Sequence, residues 1–318
     1  MSSRSPGQPH LSVVTPLYNC LPLSQAMVAS LRATIPPGVR YEVILVDDGS
    51  TDGTRKWLES LGEPFRVVLN ERNIGFGAAT NRGAALARGR VLALLNNDLV
   101  LKPGWLGPML WALRLLGPRA GLVGNVQLDA ANGEVDHAGI AVNEKGKPEH
   151  IRSVPGRVSR LMRPIRGVFA VTGACLLVRT KTWRRLGGFD ESYVNGCEDV
   201  DLCLRASAAG LVNVVALGSR VVHHISASPG RKLRDEQNSW SLARRWRERL
   251  AQEICREWTW DYFCQILPDP RDFPDTRDAL KTALYLLHLY RKPPEVALVV
   301  KRAVVDVELA RWQKMFSS

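Results

Sequence analysis

Between residues 11 and 98 the chain repeats one pattern four times, and that repeat is its strongest constraint on fold. A short apolar run breaks into a polar or glycine-rich turn. The runs are residues 11–15, 41–46, 65–69 and 90–95; the breaks are Tyr18 and Asn19, Asp47 and Asp48, residues 70–73, and Asn96 through Asp98. Helical patterning fills the gaps over 23–35, 54–61 and an Ala-rich stretch ending near Ala87, with Pro36 and Pro37 as a stop. Continuous apolar strands alternating with helices predict an α/β fold with a mostly parallel sheet and helices on both faces. Ligands of such sheets bind beyond the carboxyl ends of the strands. Four polar strand ends brought to one edge therefore predict a site there.

Past Asp98 the pattern changes. A helix is expected over 103–116, a strand over 120–128, a hairpin within 133–149, and a loop over 151–166. A strand over 168–179 and a short helix over 181–186 follow. After a loop over 187–196 come a helix over 198–209 and two short strands, 212–216 and 219–224. The rest reads as helices over 239–257, 276–290 and 294–315 with a Pro- and Asp-rich break. The expected organisation is a flexible segment 1–10, an α/β domain 11–230 and a C-terminal helical region 231–318.

Composition matters mainly for what it excludes. With 318 residues, 45% of them hydrophobic, the chain can bury a core and is neither disordered nor fibrous. Six cysteines without a C-x-x-C pair predict reduced, packed thiols and a cytoplasmic protein. The first ten residues lack an apolar signal core, and no run of 18 apolar residues predicts a membrane span. The formal charge is +12, which favours anionic partners. Nine Arg and Lys and no Asp or Glu fall within 151–189. That segment reads either as a solvated basic face or as a surface for an anionic acceptor. Trp246 sits among Arg244, Arg245, Arg247 and Arg249, which suits either a peripheral anionic membrane contact or an ordinary helical subdomain.

Six blocks in order carry a resemblance. They are Leu11-Ser-Val-Val-Thr-Pro-Leu-Tyr-Asn19, Val43-Ile-Leu-Val-Asp-Asp-Gly-Ser-Thr-Asp52, Asn73-Ile-Gly-Phe-Gly77, Leu95-Asn-Asn-Asp98, Leu186-Gly-Gly-Phe-Asp-Glu191 and Glu198-Asp-Val-Asp-Leu202. Over residues 10–230 the chain resembles family 2 glycosyltransferases, inverting enzymes of GT-A fold that use nucleotide sugars. The resemblance implies that Asp48 accepts hydrogen bonds from a base N–H, that Asp47 supports the turn, and that Pro16 and Tyr18 meet the base. Arg72 can pair with phosphate while Asn73 and Gly75 let backbone approach ribose.

Asn96, Asn97 and Asp98 match the family's Asp-x-Asp element with its first carboxylate replaced. Asp98 with His223 or His224 would hold Mn²⁺ or Mg²⁺. Asp199 matches the general base, Glu198 assists the acceptor, and Gly173 and Ala174 face the donor sugar or acceptor. The implied partners are a nucleotide-sugar donor, a UDP-sugar or dTDP-rhamnose, and a glycan, lipid-linked or other hydroxyl acceptor of surface polysaccharide or glycolipid assembly. Asn96 also motivates a rival reading, a catalytically silent nucleotide-sugar or glycan-binding module. Nucleic-acid binding lacks a supporting motif. A redox dinucleotide fold lacks G-x-G-x-x-G after its first strand.

Overall fold

A computed structural model describes residues 9–224, 234–266, 276–287, 289–290 and 292–317. Residues 1–8 of the expected flexible segment 1–10, the boundary at 230 and the break before 276 lie outside these residues. The chain runs β1 (Leu11–Leu17), α1 (Leu21–Thr34), β2 (Tyr41–Asp47), α2 (Thr54–Glu59), β3 (Phe65–Leu69), α3 (Phe76–Ala85) and β4 (Val91–Leu95). It continues through β5 (Leu99–Leu101), α4 (Leu106–Leu116), β6 (Ala120–Asp129), β7 (Val135–His137), β8 (Ile140–Val142), β9 (Pro148–His150), α5 (Arg157–Met162) and β10 (Ile165–Gly167). β11 (Cys175–Arg179), α6 (Thr180–Leu186), α7 (Glu198–Ala208) and β12 (Val212–His223) follow, and then α8 (Asp235–Ile266), α9 (Thr276–Leu286) and α10 (Glu295–Phe316). Two compact units emerge. One comprises residues through Ala141 and His150–Arg234; the other comprises Val142–Glu149 and Asp235–Ser318.

The sheet of the first unit runs β10-β12-β6-β11-β4-β1-β2-β3. Its β3-β2-β1-β4 half is wholly parallel, as the repeat predicts. β11 then pairs antiparallel with both β4 and β6, while β12 runs parallel to β6. Alternating side chains serve two faces. Leu11, Val13, Leu17 and Leu95 join Met27 and Leu31 of α1 and Met109 and Leu113 of α4 in one buried core. Val14, Ile44 and Val46 face α3 across Gly83, where a Cβ would sit 2.6 Å from Val14 Cγ1 and 2.9 Å from Val46 Cγ2. Only a glycine lets this helix lie so low on the sheet.

Several elements differ from expectation. The predicted strand 168–179 is a strand only from Cys175, because Thr172–Ala174 leave the sheet to line a cavity. The predicted loop 151–166 contains α5 and the edge strand β10. The two expected strands near 212–224 are one strand, with a register irregularity between Ala216 and Arg220. β5 interrupts the expected path from Asp98 into α4 and pairs with β12, giving His223 a fixed position opposite Leu99.

In the second unit, α8 loses helical backbone at Trp246 (φ −115°) and packs on α10. Leu242, Leu250, Leu298, Val305 and Trp312 are buried. The basic cluster around Trp246 is used within this unit. Arg247 pairs with Asp306 and Glu248, Arg249 lies 3.5 Å from Glu253, and Arg244 stacks on Trp240. The helical-subdomain reading accounts for these arginines.

Candidate active site

The polar strand ends converge on a cavity of about 360 Å³ at the carboxyl edge of the parallel half. Its lining comes from four chain regions: Pro16, Tyr18 and Cys20 at and just past the end of β1; Asp48 and Asn73; Asn96 through Asp98; and Gly173, Ala174, Glu198 and Asp199. That volume lies in the range of small-molecule sites.

Register explains the first wall. Leu17 opposes Asp47, and the Asp48 amide donates to the Leu17 carbonyl at 2.7 Å, setting the β1 turn beside the β2 turn. Asn19 then accepts from the Thr51 amide, and its own amide donates to Ser50 Oγ, both at 2.8 Å. Asp52 accepts from the Leu21 amide at 2.8 Å. Burial works against the Asp52 carboxylate, yet the Thr54 hydroxyl and the Leu21 and Thr54 amides hold its pKa below the usual range.

Asp47, buried under the turn, accepts from Arg55 Nε at 2.7 Å and from the Ser50 amide, the supporting part expected of it. Asp48 is more heavily engaged. Its Oδ1 accepts from Asn70 Nδ2 at 2.7 Å and from the Ile74 amide at 2.9 Å; its Oδ2 accepts from the Gly75 amide at 3.0 Å. Asn70 is itself braced by Arg82 and Arg55. One buried carboxylate thus anchors the loop after β3 and still faces the cavity with unused lone-pair capacity. Gly49 makes this possible. At φ +82° a Cβ there would stand 2.8 Å from the Arg72 carbonyl carbon and the Asn73 amide.

The second wall is the β4 end. The Asn96 amide donates to the Ala174 carbonyl at 2.8 Å, and Asn97 Nδ2 donates to Ser24 Oγ at 3.0 Å. Asp98 and His223 are both buried, with Asp98 Oδ1 3.2 Å from His223 Nε2. Neither atom makes a hydrogen bond, and Asn96 Oδ1 is a third buried polar atom without a partner. Unsatisfied buried polar atoms are costly. A carboxylate oxygen and an imidazole nitrogen set side by side without hydrogen-bond geometry fit two neighbouring positions around a divalent cation. Among the described residues no cluster of three His, Cys, Asp or Glu could hold a metal alone, so further ligands would have to come from elsewhere. Adjacent strand residues point oppositely. The His223 ring meets Asp98, whereas His224 reaches Asp98 through its backbone, its amide donating to the Asp98 carbonyl at 2.9 Å.

Opposite stands the N-terminus of α7. Asp199 is half-buried in the first turn, with Oδ2 accepting from the Gly173 amide at 2.7 Å and Oδ1 from the Val200 amide at 2.8 Å. Two backbone donors fix the carboxylate and leave it lone pairs toward the cavity. Gly173 therefore serves as a donor to Asp199, packed near Phe76 and Phe189. Glu198 Oε2 accepts from the Gly196 amide at 2.7 Å, closing the turn that precedes α7. Asp201 pairs with Arg205 at 2.7 Å, one helical turn away.

Other expected residues lie apart. Arg72 is exposed on the loop and does not line the cavity; Gly75 contributes its amide to Asp48. Trp105 and Trp183 are buried packing residues, Trp105 donating to Thr34 Oγ1 and Trp183 edge-on to Phe189. Within the basic segment, Arg160, Arg166, Arg179 and Arg184 donate to backbone carbonyls and Arg152 lies 3.5 Å from Asp136. None of the segment's described cations lines the cavity. Sequence reasoning missed Cys20, Phe76 and Thr172 as lining residues. Among the described residues the non-glycine positions with positive φ are Asn19, Cys20, Asn195 and Cys197, all at turns flanking the cavity. Such backbone gathers at functional sites, but no motif marks it beforehand.

The model of the family "Glycosyl transferase family 2" matches residues 12–180, which holds the β1, β2 and β4 ends and Gly173. A rhamnosyltransferase of Mycobacterium tuberculosis, N-acetylglucosaminyl-diphospho-decaprenol L-rhamnosyltransferase, is 32% identical over 70% of this chain and 78% of its own length. The O-antigen biosynthesis protein RfbC of Myxococcus xanthus is 34% identical over 74% of this chain, but only 19% of its own length is covered. The chain thus spans less than a third of the length of the first two curated relatives it matches. In structure the chain resembles GalNAc-T7, crystallised with UDP, GalNAc and Mn²⁺, with a TM-score of 0.62 at 17% identity over 79% of this chain and 51% of that one. A family model that matches more than half of the chain and a relative 32% identical over 78% of its own length lead to one assignment: the chain belongs to glycosyl transferase family 2.

Proposed function

We propose that this glycosyltransferase moves a sugar from a nucleoside-diphosphate donor to a hydroxyl acceptor with inversion, using Asp199 as general base. The observation that carries the proposal is the pairing across one cavity of two features: Asp199, held by two backbone amides, and Asp98, whose Oδ1 meets the ring of His223, a residue outside the cavity lining, without a hydrogen bond. Asp199 takes the acceptor's proton as that oxygen attacks the anomeric carbon. The bond from that carbon to the leaving diphosphate breaks, and the diphosphate departs with the electron pair. Asp98 and His223, with Asn96 near them, are the residues that would hold Mn²⁺ or Mg²⁺. A bound cation would offset the charge of the leaving diphosphate. Asp48 and the loop it anchors take the base, with Pro16 and Tyr18 beside it; Asn73 and Asn97 complete that wall and Glu198 orients the acceptor.

A UDP-sugar and dTDP-rhamnose are the leading donors, the second supported by the named activity of the mycobacterial relative. That relative's name also supports an acceptor on a lipid diphosphate. Thermal shift of the full chain with UDP, dTDP and GDP, each with and without Mn²⁺, tests the donor side. A UDP or dTDP stabilisation that needs Mn²⁺ and is lost in Asp98→Asn is expected. No stabilisation by any nucleotide would overturn the reading. Binding without turnover of any sugar nucleotide would favour the silent-module alternative.

A further inference from the structure

Exposed apolar side chains are unevenly spread. Of twenty large ones among the described residues, eleven fall between Trp260 and Phe316 in the second unit. α10 concentrates them. Its inner face buries Ala297, Leu298, Val305 and Trp312. Its outer face presents Val296, Val299, Val300 and Val307, with Val299 56% and Val307 68% exposed. Their spacing of three, four and seven residues places them on one side. Ala303 and Ala310 are exposed on the same side. A helix apolar on both sides is one whose outer side is covered by something.

Charge indicates what covers it. The outer face has no carboxylate. The three acids of α10 are each tied to an arginine: Glu295 to Arg302, Asp306 to Arg247, and Glu308 to Arg311. Lys314 ends the stripe, and Lys292 precedes the helix, both exposed. From 276 to 318 the sequence carries eight Lys and Arg against four Asp and Glu. A second copy laid antiparallel would set Lys314 beside the partner's Lys292 end, and a parallel copy would set Lys314 beside Lys314. Both arrangements oppose like charges. An apolar stripe between cations matches instead a surface that is apolar beneath and anionic above. Trp260, Tyr290 and Phe316, exposed in the same unit, are residue types favoured at the lipid–water boundary.

We propose that the outer face of α10 docks this protein on an anionic lipid bilayer. The helix lies in the plane of the surface, with Val296, Val299, Val300 and Val307 in the acyl boundary and Lys292 and Lys314 at the headgroups. The stripe from Val296 to Lys314 runs about 27 Å along the helix. This surface is separate from the residues assigned to sugar transfer, so its fate and that of the transfer reading are distinguishable.

The test is co-sedimentation of the full chain with vesicles of phosphatidylglycerol and phosphatidylcholine, against phosphatidylcholine alone. Binding to the anionic vesicles should be at least about tenfold tighter and should weaken with salt. Val299→Asp with Val307→Asp, and separately Lys314→Glu, should each weaken it by about tenfold or more while leaving the nucleotide thermal shift unchanged. Lys314→Glu keeps the test decisive if the double variant folds poorly. Equal binding of wild type and Lys314→Glu to anionic vesicles would overturn the proposal. So would no vesicle binding together with a dimer in sedimentation velocity that Val299→Asp dissociates.

Discussion

Asp48 and Asp199 show how the same functional group acquires different work from its donors. Asp48 accepts from two loop amides and an asparagine, so it joins ligand recognition to loop anchoring. Replacing it with alanine should leave the Ile74 and Gly75 amides without their acceptor, costing about 1–3 kcal/mol in denaturant unfolding, and should weaken nucleotide binding as well. Asp199 is held by two amides, one of them from Gly173, and does not anchor the loop after β3 as Asp48 does. Asp199→Asn should therefore lower kcat by roughly 10²–10⁴ while the nucleotide Kd changes little, as single-turnover kinetics and calorimetry would show. His223→Ala should weaken Mn²⁺ binding about tenfold or more by electron paramagnetic titration, whereas His224→Ala should not. Asp48 was legible in the sequence because it follows an apolar run, whereas Asp199 was read only from the resemblance carried by Glu198-Asp-Val-Asp-Leu202. The choice between the histidines was not legible, since it depends on which ring is turned to Asp98 where β12 ends, after a register irregularity. The part played by Gly75 was hidden for a similar reason, because an amide's direction leaves no trace in residue type.

Elements record where the repeat stops governing the fold. The parallel half was readable because its strands are buried on both faces and so are apolar throughout. β10 and β5, three residues each, are set by edge pairing with β12 rather than by their own composition. α3 offers a direct check on the close approach at Gly83. Gly83→Val should drive methyl groups into Val14 and Val46 and cost about 1–3 kcal/mol in chemical unfolding. In the second unit Glu236 of α8 ties to α10, meeting Trp312 and Arg311 as well as Lys147. Burial opposes its ionisation, but the Trp312, Arg311 and Lys147 hydrogen bonds bring its pKa from 4.5 to about 2. A depressed folded pKa means the stabilisation is full above 4.5 and disappears as pH falls through about 2. The carboxylate is nearly half exposed, so the effect is held to about 1 kcal/mol. Melting followed from pH 6 to about 2 should show Glu236→Gln less stable than wild type at the upper end and equal to it at the lower.

At the scale of the molecule, the two halves of the sheet divide the chemistry. Its parallel half supplies the β1, β2 and β4 ends; beside the mixed half, the segment before β11 supplies Gly173 and α7 supplies Asp199, both lining the cavity, and β12 sets His223 against Asp98, all reached more than seventy residues after Asp98. Composition alone pointed at anionic partners without choosing one. In the structure four of the nine cations of the basic segment, Arg160, Arg166, Arg179 and Arg184, donate to backbone carbonyls, and the arginines around Trp246 are held within the second unit. The central claim is that one cavity joins donor, Asp98 of the metal pair and base for sugar transfer. Its most direct measurement is release of nucleoside diphosphate from a panel of UDP-, dTDP- and GDP-sugars with Mn²⁺ and a hydroxyl acceptor, on wild type, Asp98→Asn and Asp199→Asn. Turnover of one donor by wild type, with Asp199→Asn binding that donor normally but losing at least about a hundredfold in rate, is the predicted result. Undiminished turnover by Asp199→Asn would contradict the account.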